Sequence, residues 1–317
     1  MRSLQSVVLD TAVPGEVRLS IAAVERDTGL SKDTLRVWER RYGFPQPGRD
    51  PFGERAYPLE QVEKLRVIKR LMDAGHRPGR IVALPIEDLR RIGDESRAAA
   101  PRSAPGEAAT QLRFFADLVR QHDVDGLRRA LRRTAMRLGL ARFVVDVVAP
   151  LNALIGDQWM RGHLEVFEEH LYTESMQVVL RQAIAGLPSD ESARPCVLLT
   201  TFPNEPHGLG LLMAEACFAV EGAVCIGLGT QTPIWDIVLA ASAQRADIVA
   251  LSFSPVLSPT SVAEGLRELR EKLPRPVELW AGGTASVLRR RSSAGVELLA
   301  SMEDIAPNLR RWRAARG

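Results

Sequence analysis

The sequence predicts a multidomain α and α/β chain: a winged helix-turn-helix head, a four-helix bundle and a Rossmann-like parallel-sheet domain. Three observations carry this. Two short helical periods around a tight turn, followed by Pro and Gly punctuation, open the chain; four longer helical periods with short joints fill its middle; short apolar strands alternate with amphipathic helices to its end. At 317 residues the chain is too long for one ordinary domain. Its 45% apolar and 26% charged residues are those of a soluble globular protein. No run approaches the roughly 18 apolar residues of a membrane span, and "MRSLQSVVLDTAVPGEV" carries Asp10 and makes a poor signal peptide, so a cytoplasmic protein without membrane contact is expected. Cys196, Cys217 and Cys225 have no C-x-x-C spacing and are expected as buried thiols. A net charge of +3 is only mildly basic, so nucleic-acid binding has to rest on a local motif.

The head is assigned residues 17–92. In "LSIAAVERDTGLSKDTLRVWERRYGF" one helix meets a tight turn at "TGLS", and a second starts behind Ser31 as N-cap, with Asp33 in its first turn. Leu35 and Trp38 are expected to face inward while Lys32, Arg36, Arg40 and Arg41 stand outward. This is helix-turn-helix spacing, whose second helix enters the major groove. In "PQPGRDPFGERAYPLEQVEKLRVIKRLMDAG", Pro and Gly predict a small wing before another helix, with Arg49 and Arg55 placed to grip phosphate or the minor groove. Arg36 and Arg40 could reach base edges, but spacing alone leaves open which arginines read bases and which hold backbone. A solvated helix face is the competing reading of such a charge run.

Residues 93–110, "GDESRAAAPRSAPGEAAT", lack apolar periodicity and read as a flexible linker. From 111 to 187 come "LRFFADLVRQHD", "VDGLRRALRRTAMRLG", "ARFVVDVVAPLNALIGDQWMRG" and "EVFEEHLYTESMQVVLRQAIAGL", and their short joints predict a four-helix bundle. A second hinge, "PSDESARP", leads into residues 194–317. There "CVLLTT", "AVCIGLG", "DIVALSF" and "VELWAG" alternate with helices starting at Gly208, Ile234, Ser261 and Met302. That alternation predicts a parallel sheet covered on both faces, with ligands at the carboxyl ends of its strands. His207, in "TFPNEPHGLG", falls at such an end. On the residues alone it is either a hydrogen-bonded loop histidine or a metal ligand.

The stretch from "TLRVWERRYGFPQP" through "RAYPLEQVEKLRVIKRLMDAG" resembles the MerR family of winged helix-turn-helix regulators, which implies a double-stranded DNA operator as partner. It keeps Gly53, Arg55 and Tyr57 but reads "DPFGERAY" where relatives often show Gly-Gly-His-Arg. "EPHGLG" resembles the Glu-x-His-x-x-Gly pattern of cobalamin-binding domains. That implies His207 as the lower ligand of cobalt, Glu205 as the carboxylate on its other nitrogen, and Gly210 as a point of close backbone approach. Ser252 in "LSFSP" and Gly282 and Gly283 in "WAGGTAS" stand where that fold receives the cofactor's nucleotide tail; for the glycines a tight strand-to-helix turn is the alternative. Ser254 occupies the place of a leucine frequent in the family.

In "WMRGHLEVFEEH", Trp159 precedes Glu169-His170 by a gap of nine residues. This resembles the upper-face cap of the adenosylcobalamin photoreceptors of the CarH and LitR group, which implies that Trp159, Val166 and Glu169 enclose the adenosyl group, with His170 on the same face at i, i+3, i+4 spacing from Val166. Well-studied members carry a histidine directly after the tryptophan; here that residue is Met160, and His163 substitutes only if the helix runs on through Gly162. The resemblance implies a light-responsive transcriptional repressor, not an enzyme. Adenosylcobalamin would lie between bundle and sheet domain, a homo-oligomer, a tetramer in the dark, would present several heads to one operator, and light would break the cobalt–carbon bond and shift the assembly. Two other readings share the motifs. A cobalamin carrier for methyl transfer is opposed by the DNA-binding head, while a regulator sensing cobalamin abundance or another ligand or partner is kept open by Met160.

Overall fold

The computed structural model describes residues 18–50, 52–73, 75–95, 106–188, 190, 192–285, 288 and 294–316. The chain forms two compact units, one within residues 1–99 and the other from residue 100 onward. The first contains β1 (Arg18–Ser20), α1 (Ile21–Thr28), α2 (Lys32–Tyr42), β2 (Gly48–Arg49), β3 (Arg55–Pro58), α3 (Leu59–Asp73), α4 (Pro78–Ile81) and α5 (Ile86–Glu95). Its central turn is set by local chemistry. Gly29 ends α1 at φ 70°, a conformation that penalises any residue with a Cβ, and the Ser31 hydroxyl accepts the Thr34 N–H at 3.1 Å to start α2. Leu35 and Trp38 are buried with Val24, Tyr57, Leu65 and Ile68, each such side chain contributing roughly 2 kcal/mol.

The wing is larger than expected. β1 pairs antiparallel with β3 on the side opposite β2, so the wing is a three-stranded sheet. Three residues are too few to show a strand period, which hides β1 in the sequence. The segment read as linker is also shorter at both ends: α5 reaches Glu95 and the next helix starts at Glu107. Its remainder, 96–105, and residue 17 of the head lie outside the described residues.

In the second unit the expected bundle is present. It consists of α6 (Glu107–Arg120), α7 (Val124–Leu138), a rod made of α8 (Leu140–Phe143), a π-helical turn (Val144–Val148) and α9 (Ala149–Met160), and α10 (Val166–Ala185). The π turn departs from the continuous helix read in the sequence. Pro150 has no N–H to donate and its ring crowds the Asp146 carbonyl four residues back, a conflict that one wider turn relieves.

The sheet half follows as β4 (Cys196–Thr200), α11 (Leu209–Val220), β5 (Val224–Gly229), α12 (Ile234–Ala243), β6 (Ile248–Phe253), α13 (Pro259–Lys272), β7 (Glu278–Gly283), β8 (Val296–Leu299) and α14 (Ile305–Ala314). All neighbouring strands are parallel in the order β5-β4-β6-β7-β8. β8 is one strand more than the sequence reading held. The chain leaves β4 for β5 on one side and returns to β6 on the other, so the order reverses at β4 and a crevice opens beyond its carboxyl end. One core joins Phe143, Tyr172 and Met176 of the bundle to Leu199, Leu212 and Trp280 of the sheet half, with α10 packed on α11. A second core, including Phe202, Ile237, Val262 and Leu279, fills the opposite face. Bundle and sheet are therefore one unit. Cys196 and Cys217 are buried and Cys225 half-buried, all free; burial pushes Cys217 up to about 11 and Cys225 up to about 12, which makes them inert. Among the described residues no helix is long and apolar enough to cross a membrane.

Candidate functional site

The loop from β4 to α11 carries Glu205 and His207 into the crevice. Glu205 is 0% exposed, and a carboxylate so buried is tolerated only when its oxygens are satisfied. Four donors surround it. The Ser254 N–H reaches Oε2 at 2.7 Å and the Ser254 hydroxyl at 2.8 Å, the His207 N–H reaches Oε1 at 3.2 Å, and His207 Nδ1 lies 2.8 Å from Oε1. Burial opposes ionisation, but the hydrogen bonds from His207 and Ser254 outweigh it and hold the Glu205 pKa below the usual carboxylate value. Thr201, also fully buried, donates to the Glu205 carbonyl at 2.7 Å and accepts the Gln231 N–H at 2.8 Å. Thr200 Oγ1 lies 2.7 Å from Thr232 Oγ1. These bonds pin the loops after β4, β5 and β6 to one another.

The His207 side chain is 59% exposed even though its anchor is wholly buried. A carboxylate at Nδ1 selects the tautomer with the proton there, so Nε2 is the nitrogen with which the ring would bind a metal. The exposed ring and buried anchor argue against a merely space-filling core histidine. An oriented neutral imidazole is a suitable donor to cobalt, so the residues fit that ion.

Gly210 opens α11 beside the end of β6. A Cβ there would stand 2.9 Å from Ser252 Oγ, so the glycine makes room for Ser252. Ser252 pairs with Gly282 and Phe253 with Gly283 in the β6–β7 register. Gly283 has φ 121° and a Cβ on it would strike the Phe253 backbone, a strict backbone requirement, whereas a Cβ on Gly282 would make an ordinary 3.5 Å contact with Leu299. Glu205, His207, Gly210, Ser252, Gly282 and Gly283 thus cluster at the carboxyl ends of neighbouring strands. Sequence reasoning missed Ser254, treated there only as a family departure, and the Thr200-Thr201 pair. A run of two threonines closing a buried apolar strand was the available signal for the latter.

The residues expected to form the cap lie on the bundle. Trp159 is partly buried against the shared core near the end of α9. A reciprocal capping box, Glu165 with Glu168, starts α10 at Val166 and sets Val166 and Glu169 one turn apart. Val166 is 37% exposed. Glu169 accepts the Thr173 hydroxyl at 2.7 Å, and His170 Nε2 stands 3.8 Å from Glu169 Oε2. The condition for His163 fails: α9 ends at Met160, Gly162 takes φ 72°, and the His163 N–H returns to the Gln158 carbonyl at 2.8 Å, so His163 does not stand one helical turn beyond Trp159. The Met160 side chain lies outside the described residues.

On the head, Arg36, Arg40 and Arg41 are exposed along α2. Arg36 pairs with Asp33 at 3.2 Å and Lys32 with Glu25 at 3.6 Å. Arg49 donates to the Gly53 carbonyl at 2.6 Å. Arg55 donates through Nε to Glu39 at 2.8 Å, and that hydrogen bond raises its pKa. Arg55 thus braces β3 against α2.

A winged helix-turn-helix head and a parallel-sheet half with an oriented crevice histidine define a DNA-binding transcription regulator with a cobalamin-binding type of fold. The family models agree: the MerR HTH family regulatory protein matches residues 19–84, and the B12 binding domain matches residues 112–183. The chain is 30% identical over 270 residues to the HTH-type transcriptional repressor CarH of Myxococcus xanthus, covering 85% of this chain and 89% of CarH. It is 30% identical over 289 residues to the repressor CarA of the same organism, covering 90% and 94%. The chain belongs to this family of MerR-type transcriptional repressors with a B12 binding domain. The monomethylamine corrinoid protein of Methanosarcina barkeri is a distant structural neighbour, at 14% identity, 61% and 94% coverage and a TM-score of 0.49.

Proposed function

We propose that the protein is a light-responsive repressor holding adenosylcobalamin between its bundle and its sheet half, with His207 as lower cobalt ligand. The observation that carries this reading is the exposed His207 ring fixed at Nδ1 by the buried, four-donor Glu205. When bound, the cofactor supplies a cobalt–carbon bond that green or blue light breaks. The chain's own residues have three tasks. Glu205 and Ser254 hold the imidazole; Ser252, Gly282 and Gly283 border the place of the nucleotide tail; Trp159, Val166 and Glu169, with His170 beside them, cover the upper face. Arg36, Arg40 and Arg41 of α2, with Lys32 and Arg49, meet operator DNA, and several heads brought together in a homo-oligomer raise affinity through effective concentration. The protein acts as a regulator rather than an enzyme.

The test is an absorbance spectrum and a sizing run on protein loaded with adenosylcobalamin in the dark, repeated on the same sample after green light. A spectral change accompanied by a change of mass is expected. The second reading, sensing of cobalamin abundance, is favoured by Met160 after Trp159 and by the early end of α9, which removes His163 from that face. A bound cofactor whose illumination leaves both mass and DNA affinity unchanged would select it.

A further inference from the structure

We propose that the outer face of α7 is a second polyanion-binding surface, which lays a stripe of arginines along the phosphates of duplex DNA flanking the site bound by the head. It rests on the DNA-binding reading above and extends it to the sensor unit. α7 has the sequence VDGLRRALRRTAMRL, five arginines against a single acid, Asp125, although the whole chain carries only +3. Leu127, Leu131 and Thr134 face the core. Arg129, Arg132, Arg133 and Arg137 are exposed on the other side at i, i+3, i+4 and i+8.

A solvated charge run is the ordinary alternative, and the rest of the chain shows how this protein builds one. Arg91 and Arg120 each pair with an aspartate three residues back, Arg161 with one four back, and Arg142 with one four ahead. The α7 stripe has no such partner: among the described residues, none of its four arginines makes an ion pair, and Asp125 makes none either. Crowding unpaired guanidinium groups on one face is unfavourable by itself and becomes favourable against a dense anion. At 1.5 Å per residue the stripe is about 12 Å long, a span over which duplex DNA presents about seven phosphates. Arg133 and Arg137 also rim a cleft of about 260 Å³ between α6 and α7, together with the 52% exposed Phe114. Planar forked donors beside an aromatic edge suit phosphate and sugar.

The experiment uses the full chain and a labelled mixed-sequence 60-base-pair duplex. Affinity is followed from low to moderate salt for the wild type, for the triple variant Arg132→Gln, Arg133→Gln, Arg137→Gln, and for Arg40→Ala in the head. Sedimentation on the same samples reports the mass of each. The triple variant is expected to keep its mass and melting temperature while the slope of log K against log salt becomes shallower by about 2 to 3, one counterion for each phosphate that the chain no longer neutralises. An unchanged slope beside a clear effect of Arg40→Ala would overturn the α7 proposal and leave the head reading intact. An unchanged slope with a reduced mass would also overturn it, showing the stripe to be an interface between copies. A wild-type chain that binds no duplex would remove both readings.

Discussion

Glu205→Gln isolates what the buried carboxylate does. Its two oxygens face donors only: the N–H and hydroxyl of Ser254, and the N–H and Nδ1 of His207. Glutamine has the same shape but one acceptor oxygen and one donor amide, so in either orientation an N–H group is directed at another donor. One charge-assisted bond disappears and one buried donor is orphaned, a cost of about 2–3 kcal/mol. In a unit of this size that lowers Tm by roughly 5–10 °C. If His207 is the lower ligand, loss of its orienting carboxylate also weakens cobalamin retention about 10- to 100-fold. Thermal melts of the free protein and equilibrium dialysis with adenosylcobalamin read the two effects separately. An unchanged Tm would refute the hydrogen-bond accounting, and a lowered Tm with wild-type retention would show that Glu205 braces the loop without tuning a ligand at His207.

Four further outcomes are expected. The native Glu205 pKa is depressed below its ordinary 4.5, so its contribution is present above about pH 4.5 and is lost as pH falls through the native value; the Tm gap between wild type and Glu205→Gln should therefore close as pH falls below about 4.5. Gly283→Ala, which combines φ 121° with a clash against Phe253, should cost about 3 kcal/mol in chemical denaturation, whereas Gly282→Ala should be nearly neutral. Arg55→Ala removes the brace to Glu39 and, both partners being about a quarter to a third exposed, should cost at most about 1 kcal/mol, with weaker operator binding in a gel shift. On the proposed reading, Trp159→Ala should leave retention through His207 largely intact while altering the rate of spectral change under green light; an unaltered rate would remove Trp159 from the cap.

The parts legible in the sequence are those whose causes are local. Ser31, Leu35 and Trp38 declare the second helix of the head because capping and helical period act within a few residues, and "EPHGLG" declares the crevice because Glu205 and His207 are two residues apart. What stayed hidden depends on partners far along the chain. Ser254 grips Glu205 across 49 residues and Arg55 reaches Glu39 across 16, pairings that no periodicity encodes. β1 and β8 are strands only because β3 and β7 offer them edges. The π turn reflects a conflict between Pro150 and the Asp146 carbonyl rather than any helical preference of its valines.

The two halves of the proposed site differ in how firmly they are held. Below, Glu205 is wholly buried, met by four donors, and tied through Thr201 to the loop after β5. On the proposed upper side, the Glu169 side chain is 31% exposed, held by the hydroxyl of Thr173 with His170 Nε2 at 3.8 Å, and Val166 is 37% exposed. A rigid lower support keeps a ligand in place whatever happens above it, while a lightly held upper face can rearrange at little cost. Because α10 carries Val166 and Glu169 at its start and packs along α11 through the core shared by bundle and sheet, these two residues have a continuous packed route into the sheet half. The proposed function, a sensor that keeps its cofactor but reports on its upper ligand, requires this division. On the proposed reading, reversing it by loosening Glu205 and tightening Glu169 would give a protein that responds to cobalamin loss rather than to light.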